Sequence, residues 1–329
     1  MTGLVSGDAQ LADRMNGLVR HRAPAAVALV TAAATTLATR GAGPRSDFEI
    51  GSISKAVTGL LYCDALERGE ITDGTRLGDV LPLGECAASA VTLASLSTHS
   101  SGLPGLPPSF RVARRTVALW RHGTNPYGDS LQELLDQARG VAVGLPRSRY
   151  SNFGFMLLGH ALASAAGTTY ADLLRERIVE PLDLRDTYVP ASADQVRSGA
   201  VTGTSRGPRR REPWTGEALG PAGGIRSSVT DMARLTAAIL DGSAPGLDAL
   251  TPATRFGPRV QIGAAWITVE IKGRPVTWHN GGTGGFSSWI GIDRAAGTGV
   301  VVLSARNSAV DRAGFAILTD TGVGAVDHG

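Results

Sequence analysis

Lysine is almost absent from this chain: of its 32 lysine and arginine residues, only Lys55 and Lys272 are lysines. Surface charge is therefore carried by arginine, and a lysine is expected mainly where arginine cannot replace it. Arginine stays protonated in proteins, whereas a desolvated lysine can lose its proton and act as a base. Lys272 falls in a Lys-Gly-Arg turn and is expected to be solvated, so Lys55 is the candidate for chemistry.

Cysteine is just as scarce, and metal-binding patterns are missing. Cys63 and Cys86 are the only two cysteines, stand in apolar surroundings and do not form a CxxC pair. This usage excludes a disulfide scaffold and predicts free, buried thiols. No group of His, Cys, Asp and Glu has the spacing of metal ligands. The sequence therefore predicts neither a metal nor another cofactor.

The charge balance gives no sign of nucleic-acid binding. A net charge of +3 is small for 329 residues. The densest basic run, Arg206–Arg211, contains Gly207 and Pro208 and no aromatic residue, so it is interpreted as a solvated loop. The partners predicted are a small-molecule substrate and an amine acceptor, with no nucleic acid, and the sequence gives no indication of oligomeric state.

Long apolar runs are also missing. Residues 24–38 are apolar but rich in Ala and Thr, and the run is shorter than a membrane span requires. Residues 1–24 carry Asp8, Asp13 and Arg14 where a signal peptide would be apolar. The sequence therefore predicts no membrane association and a cytoplasmic location.

What the chain does have is the composition and periodicity of a globular α/β (α+β) protein, with 43% hydrophobic residues. Apolar residues at helical spacing predict helices from near Asp8 to His21 and at Ser52–Arg68, Ser130–Ala138, Phe153–Ala166, Tyr170–Val179 and Asp311–Thr319. Strands are predicted at Ala26–Thr31, Thr36–Arg40, Gln261–Ile271, Pro275–His279, Ser287–Asp293 and Gly299–Ala305, with turns at 272–274, 281–285 and 294–297.

The order of these elements predicts two lobes within a single domain, 1–329. The closely spaced C-terminal strands indicate an antiparallel meander, and the two N-terminal strands are expected to join it. This α/β lobe comprises about 1–75 and 220–329, and its sheet is flanked by helices. A mainly helical lobe, about 76–219, is inserted between its halves.

The strongest chemical signal is the tetrapeptide Ser52-Ile53-Ser54-Lys55. Residues three apart share a helix face, so the spacing pairs a hydroxyl nucleophile with an amine that can activate it. Ser52 falls in the first turn of its helix, where free N–H groups and the helix dipole favour a developing oxyanion. The alternative is a solvated lysine beside a serine that caps the helix.

Two further polar motifs follow at loop and strand positions. Tyr150-Ser151-Asn152 precedes an apolar helix, and His279-Asn280-Gly281 ends a strand and opens a glycine-rich turn. Taken singly, Tyr150 would be a half-buried core residue, Asn152 the N-cap of the next helix, and His279 a strand histidine. Their combination with the Ser-x-x-Lys element favours a shared site.

Together the three motifs resemble those of the serine β-lactamase and penicillin-binding protein superfamily. The Ser-x-x-Lys element is a signature of that superfamily. The branch most similar holds D-alanyl-D-alanine carboxypeptidases, class C β-lactamases and related esterases. Further similar stretches are Phe48–Gly51, Leu96–Pro104, Glu180–Leu182, Gly223–Ile225 and Gly282–Phe286, so the resemblance covers roughly residues 24–310. It implies a β-lactamase-like fold with an all-helical insertion lobe.

The resemblance also implies roles for individual residues. Ser52 would be acylated, while Lys55 and Tyr150 would share the proton transfers, with the base left open between them. Asn152, His279, Gly281 and Gly282 would form the substrate site, with the Asn152 amide directed to the substrate or to Lys55 and His279 either orienting Tyr150 or meeting a substrate carboxylate. The backbone N–H groups of Ser52 and Gly282 would hold the oxyanion. His279 stands where many β-lactamases have lysine, which favours the carboxypeptidase or esterase side. His99 matches a family loop position and is expected to be structural.

The leading functional prediction is a serine hydrolase or acyltransferase that opens a small ester or amide, with a role in small-molecule secondary metabolism. Hydrolysis and acyl transfer can share one acyl-enzyme and differ only in the acceptor. A D-alanyl-D-alanine carboxypeptidase, a D-aminopeptidase or a β-lactamase, exported by a route not visible in the sequence, is the first alternative. The second is a sensor that keeps the fold without turnover.

Overall fold

A computed structural model describes residues 5–106, 110–205, 207 and 209–321, so Arg206 and Pro208 of the basic run lie outside the described residues. The strands are β1 Val5–Gly7, β2 Ala25–Thr31, β3 Thr35–Arg40, β4 Phe48–Glu49, β5 Arg226–Ser227, β6 Thr254–Gly257, β7 Val260–Ile262, β8 Ile267–Ile271, β9 Arg274–Gly282, β10 Ser287–Asp293 and β11 Thr298–Ser304. The helices are α1 Ala9–Leu18, α2 Ile53–Glu67, α3 Leu77–Val80, α4 Leu93–Ser97, α5 Phe110–His122, α6 Leu131–Arg139, α7 Asn152–Ala165, α8 Tyr170–Leu174, α9 Val229–Asp241 and α10 Asp311–Thr321, with a π-helical turn at Arg175–Val179 after α8.

Nine of these strands form one antiparallel sheet in the order β1-β3-β2-β11-β10-β9-β8-β7-β6. The N-terminal hairpin joins the C-terminal meander through the β2–β11 pair, in which Ala28 lies opposite Val301. The predicted joining of the two ends of the chain is thereby confirmed. The short strands β4 and β5 pair separately, with Glu49 opposite Arg226.

The sheet is buried on both faces because its central strands carry small apolar residues at successive positions. In β2, Ala26, Ala28 and Val30 belong to the main core, which includes residues of α2 and α9. Ala25 and Val27 belong to the second core, which includes residues of α1 and α10. Since side chains alternate across a strand, one apolar run packs against the helices on both faces of the sheet.

The predicted helix ends are close to the observed ones where local capping fixes them. Asp8 caps α1 by accepting a hydrogen bond from the amide of Leu11 at 2.7 Å. Gly69 follows α2 with φ of +70°, the left-handed conformation that a residue after a helix C-terminus often adopts. Within the described residues, no helix combines the length and apolar character needed to cross a lipid bilayer.

The prediction of one strand over Gln261–Ile271 is wrong, because the segment is two strands separated by a bend at 263–266. The amide of Ala265 donates to the carbonyl of Ser97 at 2.9 Å, and Ala265 itself has φ of +68°. The indole of Trp266 donates to the carbonyl of Ala56 in α2 at 3.1 Å. These long-range contacts hold the bend against the β propensity of the segment.

Two smaller predictions also need correction. β9 continues through Gly281 and Gly282, so the glycine-rich turn starts only at Thr283, whose amide donates to the carbonyl of Phe286 at 3.0 Å. β9 is this long because Gly281 pairs with Ser288 and Gly282 pairs with Ser287 of β10.

Both cysteines are free, as predicted, but Cys86 is only half-buried while Cys63 is buried.

A buried ion cluster fastens β4 to β5 beneath the loop that leads into α2. Arg226 is 1% exposed and donates to Asp47 at 3.2 Å and to Glu49 at 3.1 Å. Glu49 also accepts a hydrogen bond from the amide of Trp214 at 3.0 Å. The cluster of Arg226, Asp47 and Glu49 therefore joins three chain segments.

We expect Arg226→Ala to lower the free energy of unfolding by about 3–5 kcal/mol, because it leaves two buried carboxylates without their cation. The matched control is Arg234→Ala. Arg234 also pairs with an aspartate, Asp183 at 2.9 Å, but its side chain is 43% exposed, so a loss of about 1 kcal/mol or less is expected. Urea unfolding followed by circular dichroism measures both. Equal losses in the two variants would contradict the expectation.

Candidate active site

Ser52 stands at the N-terminus of α2, the longest and most completely buried helix that contacts the sheet. The chain reaches it through Gly51, whose φ of +52° is a left-handed conformation that side chains disfavour. The turn is held by hydrogen bonds from the amides of Ile53, Ser54 and Lys55 to the carbonyls three residues earlier. Ser52 is half-buried, so its hydroxyl lies at the boundary between core and solvent.

Lys55 lies one helical turn further along and is completely buried, with an exposed fraction of 0%. Its Nζ is 3.1 Å from Ser52 Oγ and donates to the carbonyl of Ala222 at 2.5 Å. Burial lowers the pKa of Lys55 well below its ordinary value. A neutral amine keeps a lone pair, so Nζ can accept the proton of Ser52.

Tyr150 lies across this pair on the loop that leads into α7. Its ring centroid is 4.8 Å from Lys55 Nζ. The residue is 39% exposed, and its hydroxyl interacts with the Ser52 side chain. Burial raises the pKa of the Tyr150 phenol, and the bond to Ser52 only partly offsets the rise. The phenol is therefore a proton donor at neutral pH.

His279 lies on β9 with 1% exposure, its ring centroid 6.5 Å from that of Tyr150. Its Nδ1 is 2.6 Å from the carbonyl oxygen of Asn280. A carbonyl only accepts, so Nδ1 carries the proton and Nε2 is a bare acceptor, with no partner among the described residues. Burial, reinforced by Lys55, lowers the pKa of His279 to about 3. The third motif is therefore uncharged at neutral pH.

Asn152 is the first residue of α7, and its cap is Ser151, whose Oγ accepts from the amide of Gly154 at 2.8 Å. The interpretation of Asn152 as an N-cap is therefore wrong, because the serine before it takes that role. Asn152 Nδ2 donates to the Tyr127 hydroxyl at 3.2 Å. Its Oδ1 is buried and unpaired within the part of the chain that the structure describes.

The glycines of the third motif let β9 pack directly on the loop before Ser52. A methyl group on Gly281 would lie 2.0 Å from the carbonyl oxygen of Ile50. A methyl group on Gly51 would lie 2.7 Å from the amide nitrogen of Gly282. Contacts this short exclude a side chain and place the Gly282 amide next to the N-terminus of α2. The two amides suggested for the oxyanion, those of Ser52 and Gly282, therefore come from adjoining segments.

We expect Gly281→Ala to lower the free energy of unfolding by about 1–3 kcal/mol, because the added methyl group forces β9 away from the loop. Turnover should fall with it, since the same displacement moves the Gly282 amide. Gly282→Ala is the control for stability: a methyl there meets no heavy atom within 4 Å, and we expect a change within about 0.5 kcal/mol. Denaturant unfolding of both variants tests the pair, and equal destabilisation would show that the packing argument is incorrect.

A cavity of about 590 Å³ opens beside Gly282. It is lined by Leu119, Ser205, Arg211, Trp214, Gly282, Thr283, Gly284 and Asn307. The first four come from the segments 110–127 and 202–214. This space reaches the third motif at Gly282 and has the size of a small-molecule site.

The structure thus brings Ser52, Lys55, Tyr150, His279 and Gly282 to one place. It also adds two groups that no sequence pattern marks: the carbonyl of Ala222, which accepts from Lys55, and the hydroxyl of Tyr127, which accepts from Asn152. A backbone carbonyl has no sequence signal, and Tyr127 belongs to no motif. Both are recognisable only from the packing.

Comparison with known proteins identifies the family of the chain. The model of the family described as Beta-lactamase matches residues 8–320. The D-alanyl-D-alanine-carboxypeptidase/endopeptidase AmpH of Escherichia coli K12 is 28% identical over 281 residues, which span 78% of this chain and 70% of AmpH. Penicillin-binding protein 4 of Amycolatopsis lactamdurans is 27% identical, over 80% of this chain and 73% of its own.

Solved structures share the fold. A class C beta-lactamase from Rhodobacter sphaeroides superposes with a TM-score of 0.77 at 23% identity, covering 95% of this chain and 99% of its own. A D-stereospecific amidohydrolase from Streptomyces gives a TM-score of 0.78 at 22% identity, covering 93% and 98%. The predicted β-lactamase-like fold, an antiparallel sheet flanked by helices, is confirmed.

Proposed function

The chain belongs to the beta-lactamase family and is a serine hydrolase of that superfamily, and on this basis we propose that it acts on small esters or uncharged amides. The acyl group would be held on Ser52 and released to water or to an amine. A tailoring step in small-molecule metabolism would use such a reaction. A cytoplasmic location stays a prediction.

The observation that carries this proposal is the uncharged third motif. A substrate that ends in a carboxylate beside the scissile bond needs a cation or several donors to replace its water. His279 is buried, its pKa is lowered to about 3, and its single N–H is bonded to the Asn280 carbonyl. Burial also holds the pKa of Lys55 well below its ordinary value, which favours the neutral amine. Neither group supplies a full charge at the third motif, which favours a substrate that is uncharged where it meets His279, while Arg211 is the cation that lines the neighbouring cavity.

The proposed mechanism assigns the proton transfers from the same burial effects. Ser52 Oγ attacks the carbonyl carbon while its proton passes to Lys55 Nζ, because burial favours the neutral amine of Lys55 and the protonated phenol of Tyr150. The carbonyl π electrons move to oxygen, and the resulting anion accepts hydrogen bonds from the Ser52 and Gly282 amides. The C–O or C–N bond then breaks, and the leaving group takes a proton from Tyr150, which is reprotonated by Lys55.

The second half of the reaction repeats these steps with a new nucleophile. Water or an amine attacks the acyl-Ser52 carbonyl and loses a proton to the same base, and the Ser52 oxygen is protonated as it leaves. Since both acceptors use one intermediate, hydrolysis and transfer differ only in which molecule reaches the acyl carbon first. The open cavity beside Gly282 gives room for either.

A second candidate is a D-alanyl-D-alanine carboxypeptidase, a D-aminopeptidase or a β-lactamase. It is favoured by the 28% identity with AmpH over most of both chains. A sensor without turnover is a third candidate. It is disfavoured by the 3.1 Å approach of Lys55 Nζ to Ser52 Oγ, which a binding protein does not need.

A substrate panel separates these candidates. The purified protein is assayed with short-chain nitrophenyl esters, with and without an added amine, and with a D-Ala-D-Ala peptide, a D-aminoacyl amide and a chromogenic cephalosporin. We expect the highest kcat/KM for the esters, and an amide product when amine is present. A higher kcat/KM for the peptide, the D-aminoacyl amide or the cephalosporin would support the second candidate. If esters bind but are neither turned over nor transferred to Ser52, the result would support the sensor.

A further inference from the structure

We propose that His99 is a positioning residue that holds the Tyr150 phenol in register with Ser52 and Lys55; this inference rests on the proposed function. His99 belongs to the loop after α4, far from Tyr150 in sequence. It is 2% exposed, and its ring lies 4.5 Å from the Tyr150 ring, centroid to centroid. It touches none of the atoms that react, so its effect would act through Tyr150.

Two hydrogen bonds tie the chain on either side of Tyr150 to this one histidine. The amide of Arg149 donates to the His99 carbonyl oxygen at 2.9 Å. The amide of Ser151 donates to His99 Nδ1 at 3.1 Å. Because both neighbours of Tyr150 are held, neither the peptide before it nor the peptide after it can rotate without breaking a bond.

Tyr150 needs such a tether because no regular element holds it. Residues 141–151 form neither helix nor strand, and α7 starts only at Asn152. The imidazole also fills the space between the loop and the helix: its centroid is 4.7 Å from the ring of Phe155 in α7 and 6.0 Å from that of Phe256. The His99 ring therefore packs between α7 and the Tyr150 loop and fixes the loop relative to the helix.

The backbone of His99 shows that this arrangement is enforced. Its φ is +57°, a left-handed conformation that is uncommon outside glycine, although histidine, asparagine and aspartate adopt it more often than other residues do. Such strained residues persist where surrounding contacts hold them, and they cluster at active sites. Here the His99 amide donates to the carbonyl of Leu96 at 3.1 Å. The His99 carbonyl and ring accept the hydrogen bonds from the Tyr150 loop.

The tether requires one protonation state of the ring. Nδ1 accepts from an amide, so the proton of the neutral imidazole is on Nε2. Burial, with smaller contributions from Lys55 and His279, holds the pKa of His99 well below its ordinary value. At neutral pH the ring thus keeps the acceptor that the Ser151 amide uses.

The test uses two substitutions that differ in this acceptor. His99→Phe keeps an aromatic ring but cannot accept the Ser151 N–H. His99→Asn offers a carbonyl oxygen at nearly the place of Nδ1 and tolerates positive φ. We expect kcat to fall about 100-fold in His99→Phe, as a misplacement of about 1 Å can do, with little change in KM. His99→Asn is expected to recover most of the loss.

A double-mutant cycle shows whether the effect passes through Tyr150. The rate at which a fluorophosphonate labels Ser52 is measured for the wild type, His99→Phe, Tyr150→Phe and the double variant, with thermal unfolding recorded for each. If His99 acts by placing the phenol, its substitution slows labelling of the wild type but not of Tyr150→Phe. The inference would be overturned if His99→Phe slowed labelling equally in the wild type and in Tyr150→Phe. It would also be overturned if a folded His99→Phe variant were labelled at the wild-type rate. A wild-type Ser52 that takes no label would overturn the proposed function instead.

Discussion

Ser52→Ala is expected to lower kcat by about 10⁴- to 10⁶-fold, as loss of the nucleophile does in other serine hydrolases. The reason is local to the site. Ser52 Oγ is the hydroxyl that lies 3.1 Å from Lys55 Nζ, at the N-terminus of a buried helix. Removing it leaves a base and an oxyanion site with no atom to acylate, so the residual rate comes only from positioning a water.

Intact-mass measurement after incubation with an active ester tests this most directly. The wild type should gain the mass of one acyl group, and Ser52→Ala should gain none. Ser243→Ala is the matched control, because Ser243 is exposed and lies beyond the end of α9. It should acylate like the wild type. An adduct that persists in Ser52→Ala would mean that another residue is the nucleophile, and the proposed mechanism would fail.

The parts of this site that could be predicted are those in which the sequence spacing itself sets the geometry. Ser52 and Lys55 are three residues apart in one helix, so their approach follows from helical periodicity. The joining of β2 to β11 was predictable because apolar N-terminal strands had no other sheet to enter.

The parts that could not be predicted depend on contacts between distant segments. The bend that separates β7 from β8 exists because Ala265 and Trp266 bond to the carbonyls of Ser97 and Ala56. The carbonyl of Ala222 reaches Lys55 from a turn that carries no motif. No pattern in the segments themselves indicates such partners.

The sequence also left open whether Lys55 or Tyr150 is the base, because the surroundings of both side chains depend on contacts between distant segments. Cations near the phenol would have favoured its ionised form, whereas burial favours the neutral form of both groups. In the structure burial is the largest cause for each: it lowers the pKa of Lys55 and raises the pKa of Tyr150. The assignment of roles therefore rests on the degree of burial, which spacing does not encode.

The same burial connects catalysis with stability. The unfolded chain binds a proton at Lys55 up to its ordinary pKa, whereas the folded chain releases it at lower pH. Between these two pKa values the unfolded state binds more protons, so this residue makes the folded state less stable as the pH falls. A site that keeps a lysine neutral is thus expected to reduce the stability of the fold at neutral pH.

Lys55→Arg and Lys55→Met are therefore expected to lose activity for opposite reasons. Arginine stays protonated and cannot take the Ser52 proton, and methionine has no proton acceptor. Removing a general base usually lowers the rate by about 10²- to 10⁴-fold, and both variants should fall in this range or below it. Lys272→Arg is the matched control, since Lys272 is exposed in a turn, and it should keep the wild-type rate.

Unfolding measurements at neutral pH distinguish loss of the base from loss of the fold. Lys55→Met replaces a buried amine with an apolar side chain of similar length, so its free energy of unfolding should equal or exceed that of the wild type, with a weaker dependence on pH. Lys55→Arg buries a permanent charge and should be less stable. The wild-type kcat/KM should rise along an acidic limb as Lys55 loses its proton, with a midpoint well below the ordinary lysine pKa. Full activity in a stable Lys55→Met would exclude Lys55 as the base and leave Tyr150 in that role.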